Sequence, residues 1–269
     1  MQNRRILLAA LFAMVVAIPS LAQGPLLDPP QMDDLVQRIA LYPDPLLTQV
    51  LTASTYWNEI PDAAAWASQH SYLSGDALAR AIDEDRLPWD PSVLALLPFP
   101  SVLDMMGRDP GWTAALGNAV LAQRADVMDA IQRMRQEALS YGYLRDSPYC
   151  RVVSGQYIEI LPVDPAFLYV PRYDPRVVFV RPRSGIVAGG AISFGPRITI
   201  GAAFAPFGWS NPMLGWREHA IVIDHHPWER TIQNREHYVH PYAAPPPHHE
   251  GPRVERHEHG HSDHEHDRK

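Results

Sequence analysis

Apolar residues recur at helical spacing through the first half of the chain. The first stripe has the spacing i, i+3, i+4 and i+7 and consists of Met32, Leu35, Val36 and Ile39. This spacing places its members on one face of a helix. Asp-Pro pairs mark helix starts. The aspartate accepts a hydrogen bond from an N–H group of the first turn, and proline at the first helical position costs no hydrogen bond, because the N–H group it lacks would have no partner within the helix. Three such pairs, which predict a multi-helix domain over residues 32–144, are Asp44-Pro45, Asp90-Pro91 and Asp109-Pro110.

The longest apolar stripe covers residues 112–141, at steps of three, four and seven. Gly142 follows it, at a position where helices commonly end in a left-handed residue. About thirty residues at 1.5 Å each predict one long helix of roughly 45 Å. Gly117 lies inside this helix and is expected to weaken it locally.

After Gly142 the apolar pattern changes to short runs of β-branched and aromatic residues. Turn residues such as Ser154-Gly155 and Asp164-Pro165 separate the runs. The predicted strands are residues 149–153, 157–161, 167–170 and 177–180. They make a small antiparallel β unit over residues 145–183, so we expect an α+β fold.

Residues 184–224 form a glycine-rich apolar segment. Residues 198–216 carry no charge, but the prolines and glycines among them argue against a continuous membrane-spanning helix. We expect glycine-rich strands and turns here. The alternative is a hairpin that associates with a membrane or a partner.

The N-terminus has the three parts of a secretory signal peptide. Arg4 and Arg5 provide the basic start, and residues 6–18 form an apolar run shorter than the roughly 20 residues that a membrane span needs. Ser20-Leu21-Ala22 supplies small residues at a cleavage site. We therefore expect residues 1–22 to be removed, residues 23–31 to form a linker, and the mature protein to be exported, most simply to the periplasm.

Composition restricts the partners. The formal net charge is −7, and loss of Arg4 and Arg5 with the signal peptide would bring it to −9. This balance argues against nucleic acid or an anionic membrane surface as the main partner. The only cysteine is Cys150, so the fold contains no internal disulfide.

Residues 225–269 are predicted to be a low-complexity tail, disordered from Pro245 onwards. Seven of the 13 histidines lie beyond Pro247. Imidazole is a common metal ligand, and a flexible chain can bring several rings loosely around Zn, Ni or Cu. The alternative is a solubilising polar tail. The candidate metal ligands are His257, His259, His261, His264 and His266.

No assembled catalytic motif is found, so no catalytic residue is assigned. Before Gly185 the only histidine is His70, at the end of a predicted helix, where contact with terminal carbonyls is expected. Asp83, Glu84 and Asp85 form the densest acidic cluster in the predicted folded part, and we interpret it as a solvated helix end rather than a calcium or glycosidase site.

Two further kinds of candidate residue are expected to pack in or against the core rather than to take part in catalysis or ligand binding. Cys150 has no glycine-rich context and is expected to be a core or edge thiol. Four aromatic residues offer stacking surfaces for sugars, although packing against a core is the expected role. They are Trp89, Phe99, Trp209 and Trp216.

Six ordered motifs distinguish the sequence. They are Ile39-Ala40-Leu41-Tyr42-Pro43-Asp44-Pro45-Leu46-Leu47, Ala53-Ser54-Thr55-Tyr56, Leu87-Pro88-Trp89-Asp90-Pro91-Ser92-Val93, Leu97-Pro98-Phe99-Pro100, Ala122-Gln123-Arg124-Ala125-Asp126-Val127-Met128-Asp129-Ala130 and Tyr169-Val170-Pro171-Arg172-Tyr173-Asp174-Pro175. Together they resemble a bacterial family known as domain of unknown function 3300, over roughly residues 35–216. The resemblance implies exported envelope proteins with variable low-complexity C-termini. It supplies no activity, ligand or catalytic residue.

These patterns favour a non-enzymatic envelope protein with a structural or partner-binding role, the partner being an envelope protein or polymer. The alternatives are an enzyme that acts on envelope polymers and a protein that binds divalent transition metals through its tail. A cleft that holds His70, Asp83 or Asp85 beside aromatic residues would favour the enzyme. A helical body with an exposed apolar patch would favour the binding protein.

Overall fold

The computed structural model describes residues 26–182 and 190–241. Residues 26–144 form eight α-helices, each of which contributes buried apolar side chains to one shared core. The α+β class is confirmed, because short antiparallel strands follow these helices. The helices are α1 (Pro29–Val36), α2 (Asp44–Ser54), α3 (Ile60–Gln69), α4 (Gly75–Asp85), α5 (Pro91–Leu94), α6 (Pro100–Arg108), α7 (Pro110–Ala122) and α8 (Arg124–Ser140).

Two of the three Asp-Pro pairs cap their helices as the sequence predicts. Asp90 Oδ1 accepts a hydrogen bond from Ser92 N at 2.9 Å, and Asp109 Oδ1 accepts one from Trp112 N at 3.0 Å. Asp44 differs. It is the first residue of α2 and makes no capping bond, because its carboxylate is buried and bonded to distant parts of the chain.

The predicted long helix is divided into α7 and α8. Gln123 separates them with φ −137° and ψ 44°, outside the helical region. Its side chain bonds to the backbone of Leu27 in both directions, at 2.8 and 3.1 Å. Apolar spacing did not reveal the break, because α7 and α8 both face the same core on either side of one non-helical residue.

Gly117 allows α7 to pack directly on α2. A Cβ atom at this position would lie 2.1 Å from the carbonyl oxygen of Ser54. Helix α7 continues through Gly117, and the missing side chain is what permits the two backbones to touch.

Strand pairing joins the predicted β unit to the glycine-rich segment. β1 (Cys150–Ser154) and β2 (Ile158–Pro162) form a hairpin. β3 (Phe167–Leu168) pairs with β6 (Ile198–Thr199), and β4 (Pro171–Tyr173) pairs with β5 (Ile192–Phe194). All these pairs are antiparallel, and the third and fourth strands each pair with a strand beyond residue 190.

The fourth predicted strand, residues 177–180, was wrong. Asp174 Oδ1 accepts a hydrogen bond from Arg176 N at 2.9 Å and caps a one-turn helix, α9 (Pro175–Val178). The Asp174-Pro175 pair therefore starts a helix, as do the three Asp-Pro pairs of the helical domain.

The glycine-rich segment packs on the helical core. A 3₁₀ helix (Ala202–Phe207) buries Phe204 completely, and Trp209 is also buried. These side chains belong to the same apolar cluster as the helices. No helix in the part of the chain that the structure describes is both long enough and apolar enough to span a membrane.

Residues 226–241, which the sequence analysis grouped with the low-complexity tail, pack on the helices. β7 (Met213–Gly215), β8 (Ala220–Ile223) and β9 (His226–Pro227) form a meander. Asp224 and His225 both have positive φ angles and form the tight turn between β8 and β9. Beyond β9, Trp228 is 1 % exposed and His240 is 4 % exposed. Two large side chains thus fix a segment whose composition is mostly polar.

One buried ion pair connects the helices to the strands. Arg135 of α8 has no exposed surface, and its Nη1 lies 2.7 Å from Asp44 Oδ1. The guanidinium also donates to the carbonyl oxygens of Ala40, Tyr42 and Ile158 at 2.9, 3.0 and 2.7 Å.

Asp44 is satisfied in the same way. Its Oδ2 accepts a hydrogen bond from Trp216 Nε1 at 3.1 Å, and its Oδ1 accepts one from Ile160 N at 3.3 Å. The ring of Trp216 covers the Arg135 guanidinium, 4.9 Å from its centroid. Four separate segments therefore meet at one pair of charges.

Removing the cation should leave Asp44 buried without its counter-charge. We expect Arg135→Ala to lower the free energy of unfolding by about 3–5 kcal/mol, measured by urea denaturation. The matched control is Arg133→Ala on the same helix, which removes a partly exposed ion pair with Asp33 and should cost less than about 1 kcal/mol. Equal losses in the two variants would show that the buried pair has no special role.

Adding a methyl group at Gly117 should separate α2 from α7. We expect Gly117→Ala to destabilise the fold by about 1–3 kcal/mol or more, because the clashing atom is backbone. Gly111→Ala is the control on the same helix. There the nearest atom to the added Cβ is 3.8 Å away, so the change should be neutral or stabilising by a few tenths of a kcal/mol. Thermal unfolding of both variants tests the difference.

Candidate functional site

His70 contacts a terminal carbonyl of its helix, as the sequence predicts. Its Nδ1 lies 2.9 Å from the carbonyl oxygen of Trp66, and its ring stacks on the Trp66 indole at 3.9 Å. The Trp66 indole nitrogen donates to Asp85 Oδ2 at 2.7 Å, and His70 Nε2 is 4.0 Å from the same oxygen. His70 and Asp85 are thus brought together, but neither lines the two pockets described below.

The other acidic and aromatic candidate residues from the sequence lie at an exposed helix end or in or against the core. Asp83 and Glu84 are exposed at the end of α4. Phe99 and Trp209 are buried against each other at 5.2 Å, and the Trp209 indole donates to the carbonyl oxygen of Ala95 at 2.9 Å. With Trp216 beside Asp44, three of the four aromatic candidates are core residues, as expected.

The candidate metal ligands His257, His259, His261, His264 and His266 lie outside the described residues. Within residues 26–182 and 190–241, no three His, Cys, Asp or Glu side chains are grouped so that they could hold a metal ion.

A turn between α1 and α2 supplies the floor of the candidate site. Arg135 binds the carbonyl oxygens of Ala40 and Tyr42 from the core side. From the other side, the hydroxyl of Tyr173 on β4 donates to the carbonyl oxygen of Gln37 at 3.0 Å and accepts from Leu41 N at 3.3 Å. Burial raises the pKa of this hydroxyl well above its usual value. Strand β4 is therefore fastened to the turn.

Two pockets flank this junction. The first, which we call the arginine pocket, has a volume of about 290 Å³. Its lining combines two arginines and a serine with apolar and aromatic residues. The residues are Arg38, Tyr42, Ser101, Met105, Val170, Pro171, Arg172, Tyr173 and Pro175.

The second, which we call the aromatic pocket, has a volume of about 650 Å³. The Tyr149 ring contacts Tyr169 at 4.7 Å and Phe194 at 4.8 Å. Pro171 lines both pockets, and Leu41 of this pocket directly precedes Tyr42 of the other. We refer to these two neighbouring pockets, which share Pro171 of β4, together as the groove. The described residues that line the aromatic pocket are Leu41, Tyr143, Leu144, Arg145, Asp146, Ser147, Pro148, Tyr149, Cys150, Pro171, Gly190, Ile192, Ser193 and Phe194.

Cys150 borders the aromatic pocket but is not activated. Its residue surface is 4 % exposed, and its sulfur lies 3.3 Å from the hydroxyl of Ser147. Burial raises the pKa of the thiol, which lowers the thiolate fraction that a nucleophile needs. The expected core or edge position of this cysteine is confirmed.

A family model matches most of the chain, including all six motifs. The model described as "Protein of unknown function (DUF3300)" matches residues 28–259. The chain belongs to this family. The Uncharacterized protein YacH of Escherichia coli (strain K12) is 35% identical over 182 residues, which cover 55% of this chain and 29% of that protein. The chain therefore spans less than a third of its relative's length. No solved structure matches the chain.

Two of the motifs that carried the resemblance converge on the groove. Leu41 and Tyr42 come from the first motif, and Val170 to Tyr173 come from the last. More than a hundred residues separate these motifs, and no short-range pattern indicates that they meet. The sequence signal that could have found the site is the density of motif residues, not any catalytic signature.

Two other motifs meet at a second polar cluster, which the sequence analysis also missed. Glu59 Oε2 accepts a hydrogen bond from Asp90 N at 2.7 Å, and His240 Nε2 lies 3.7 Å from Asp90 Oδ1. Arg230 covers the ring of Tyr56 at 3.6 Å. Burial raises the pKa of Glu59 and lowers the pKa of His240.

This second cluster fixes the C-terminal part of the described chain. Arg124 donates to the carbonyl oxygens of Trp228 and Arg230 at 3.1 and 2.7 Å, and Arg230 Nη1 donates to Thr55 Oγ1 at 3.1 Å. Perturbed titratable groups are typical of active sites and of structural networks alike. Neither pocket reaches this cluster, so a structural role agrees better with its position.

Proposed function

We propose that this protein is an exported, non-enzymatic envelope protein that binds a partner in the groove between its helical body and β4. The observation that carries the proposal is the convergence of two distant family motifs on one groove with aromatic and cationic walls. Ligand sites are typically concave and mostly apolar, with a few placed polar groups.

Exposed apolar side chains line the groove or lie within five residues of its lining along the chain. Tyr149, which lines the aromatic pocket, is 39 % exposed. Val177 and Val180 follow Pro175 of the arginine pocket and are also exposed. Large apolar groups that remain exposed beside a groove favour a binding surface over a purely structural body.

The chemistry around the groove favours binding over catalysis. Cys150 lines the aromatic pocket, and burial raises the pKa of its thiol. His70 and Asp85, which were the best acid–base candidates in the sequence, do not line either pocket. An enzyme would need an activated nucleophile or a positioned acid–base pair at the bound ligand.

Site-specific photo-crosslinking in intact cells tests the binding function and the location together. A photoreactive phenylalanine analogue at Tyr149 should form adducts with an envelope component, and the adducts should be recovered in the envelope fraction. The same analogue at Tyr72, which is 78 % exposed and lines neither pocket, is the control and should form few. Equal adducts at the two positions would contradict a groove partner, and adducts found only in the cytoplasm would contradict export.

A second candidate function is metal binding by the histidine-rich tail, favoured by five imidazoles within residues 257–266. Acidic residues lie among these histidines, at Glu258, Asp263 and Glu265. We propose that the tail binds divalent transition metals loosely, with copper held more tightly than nickel.

Calorimetry on the full chain and on a chain that ends at Pro247 tests the tail. A metal binds the neutral ring, and an unperturbed histidine titrates near pH ~6.5, so uptake should fall as the pH drops toward about 5.5. Removal of the tail should abolish the uptake. If the two chains took up equal metal, the tail would not be the site.

A further inference from the structure

We propose that the arginine pocket binds a carboxylate group of a peptide whose neighbouring residues lie in the aromatic pocket. This inference rests on the proposed function and adds the chemistry of the ligand. The pocket is small, about 290 Å³, which suits one charged end of a longer ligand. The larger aromatic pocket is its neighbour and shares Pro171 with it.

Arg38 supplies a fixed cation on one side of the pocket. Its Nη1 donates to Asp109 Oδ2 at 2.9 Å, and its guanidinium lies over the Trp112 ring at 5.2 Å. Asp109 is itself held by the Trp112 backbone at 3.0 Å. A guanidinium carries five N–H donors in a rigid fork, so this single bond positions Arg38 while most of its donors stay available.

Arg172 supplies the second cation from strand β4. Its guanidinium makes no hydrogen bond or ion pair with the residues that the structure describes. Gly195 lies beneath it, and a Cβ atom there would be 3.7 Å from Nη2 and 3.8 Å from Nε. The side chain therefore lies close to the Gly195 backbone, and no described residue engages its guanidinium donors.

Ser101 adds neutral donors to the same pocket. It is the second residue of α6, whose N-terminus has no side-chain cap. Its hydroxyl has no partner among the described residues, and a helix N-terminus favours a negative group nearby. This residue supports the two arginines but would not define a site without them.

The acidic groups around the pocket are already engaged. Asp109 binds Arg38 and the Trp112 backbone, and Asp174 binds Arg176 through both oxygens at 3.2 and 3.1 Å. No carboxylate is among the nine residues that line the pocket. Asp109 offsets the charge of Arg38, so among the described residues the cation that favours an anionic ligand is Arg172.

The apolar residues of the arginine pocket favour a carboxylate over other anions. Met105, Val170 and Pro171 surround the arginines with apolar surface, which suits a carboxylate carried on an apolar or aromatic residue. Arginine binds carboxylates in a planar, two-bond geometry. The overall negative charge disfavours an anionic membrane or a polyphosphate as the main ligand.

Chemical-shift titration of the full chain with N-acetyl-Leu-Phe as the free acid tests the inference. The free acid should shift the amide signals of Ser101 and Gly195 in a saturable way. The corresponding C-terminal amide should bind at least about tenfold more weakly, because it lacks the charge that strengthens the hydrogen bonds. Equal affinity for the acid and the amide would overturn the proposal.

Two arginine variants distinguish binding in the arginine pocket from nonspecific attraction to positive charge. Arg172→Gln should weaken binding of the free acid about tenfold. Arg176→Gln is the matched control, four residues away and outside the pocket lining, and should leave the affinity unchanged. Unchanged binding in Arg172→Gln, or equal losses in both variants, would overturn the assignment.

Inorganic phosphate and phosphatidylglycerol vesicles are the competing probes. Tighter binding of either than of the free acid would show that the pocket is not selective for a peptide carboxylate. Crosslinking at Tyr149 distinguishes failure of the carboxylate inference from failure of the proposed groove partner. Adducts that persist while the free acid fails to bind would leave the groove partner intact and remove only the carboxylate inference.

Discussion

The rest of the structure depends on the buried ion pair between Arg135 and Asp44. A guanidinium without exposed surface must have every charge and donor compensated, because an unpaired buried cation costs several kcal/mol. Arg135 finds its partners on the turn after α1, at the start of α2 and on β2, and the Trp216 ring covers it. Placing this one cation therefore requires the helical body, the β hairpin and the glycine-rich segment to come together.

The same pair determines the shape of the candidate site. The turn that contains Leu41 and Tyr42 is held on the core side by Arg135 and on the groove side by the hydroxyl of Tyr173. A loop bonded on both sides loses little freedom when a ligand binds, which reduces the entropic cost of association. The groove is thus a prepared surface, and its walls come from two motifs that the Tyr173 hydroxyl joins at this turn.

Much of the local structure could be predicted from the sequence. The caps at Asp90 and Asp109, the contact of His70 with a helix carbonyl and the α+β class were all correct. The candidate site could not be predicted beyond its motifs, since Arg38 and Arg172 give no signal of their own in the chain. Neither the groove nor the second polar cluster has a catalytic signature in the sequence. Only the contacts between distant segments identify these two sites.

Asp44 and Gly117 show where the limit lies. By itself, the sequence determined features that depend on neighbours within a turn or two, because capping bonds and helical periodicity act over a few residues. The tertiary structure alone decided that Asp44 turns inward to Arg135, that Gly117 touches the backbone of Ser54, and that β3 and β4 pair beyond residue 190. These outcomes depend on packing between segments far apart in the chain, where a residue's role is set by whichever partner the fold places against it.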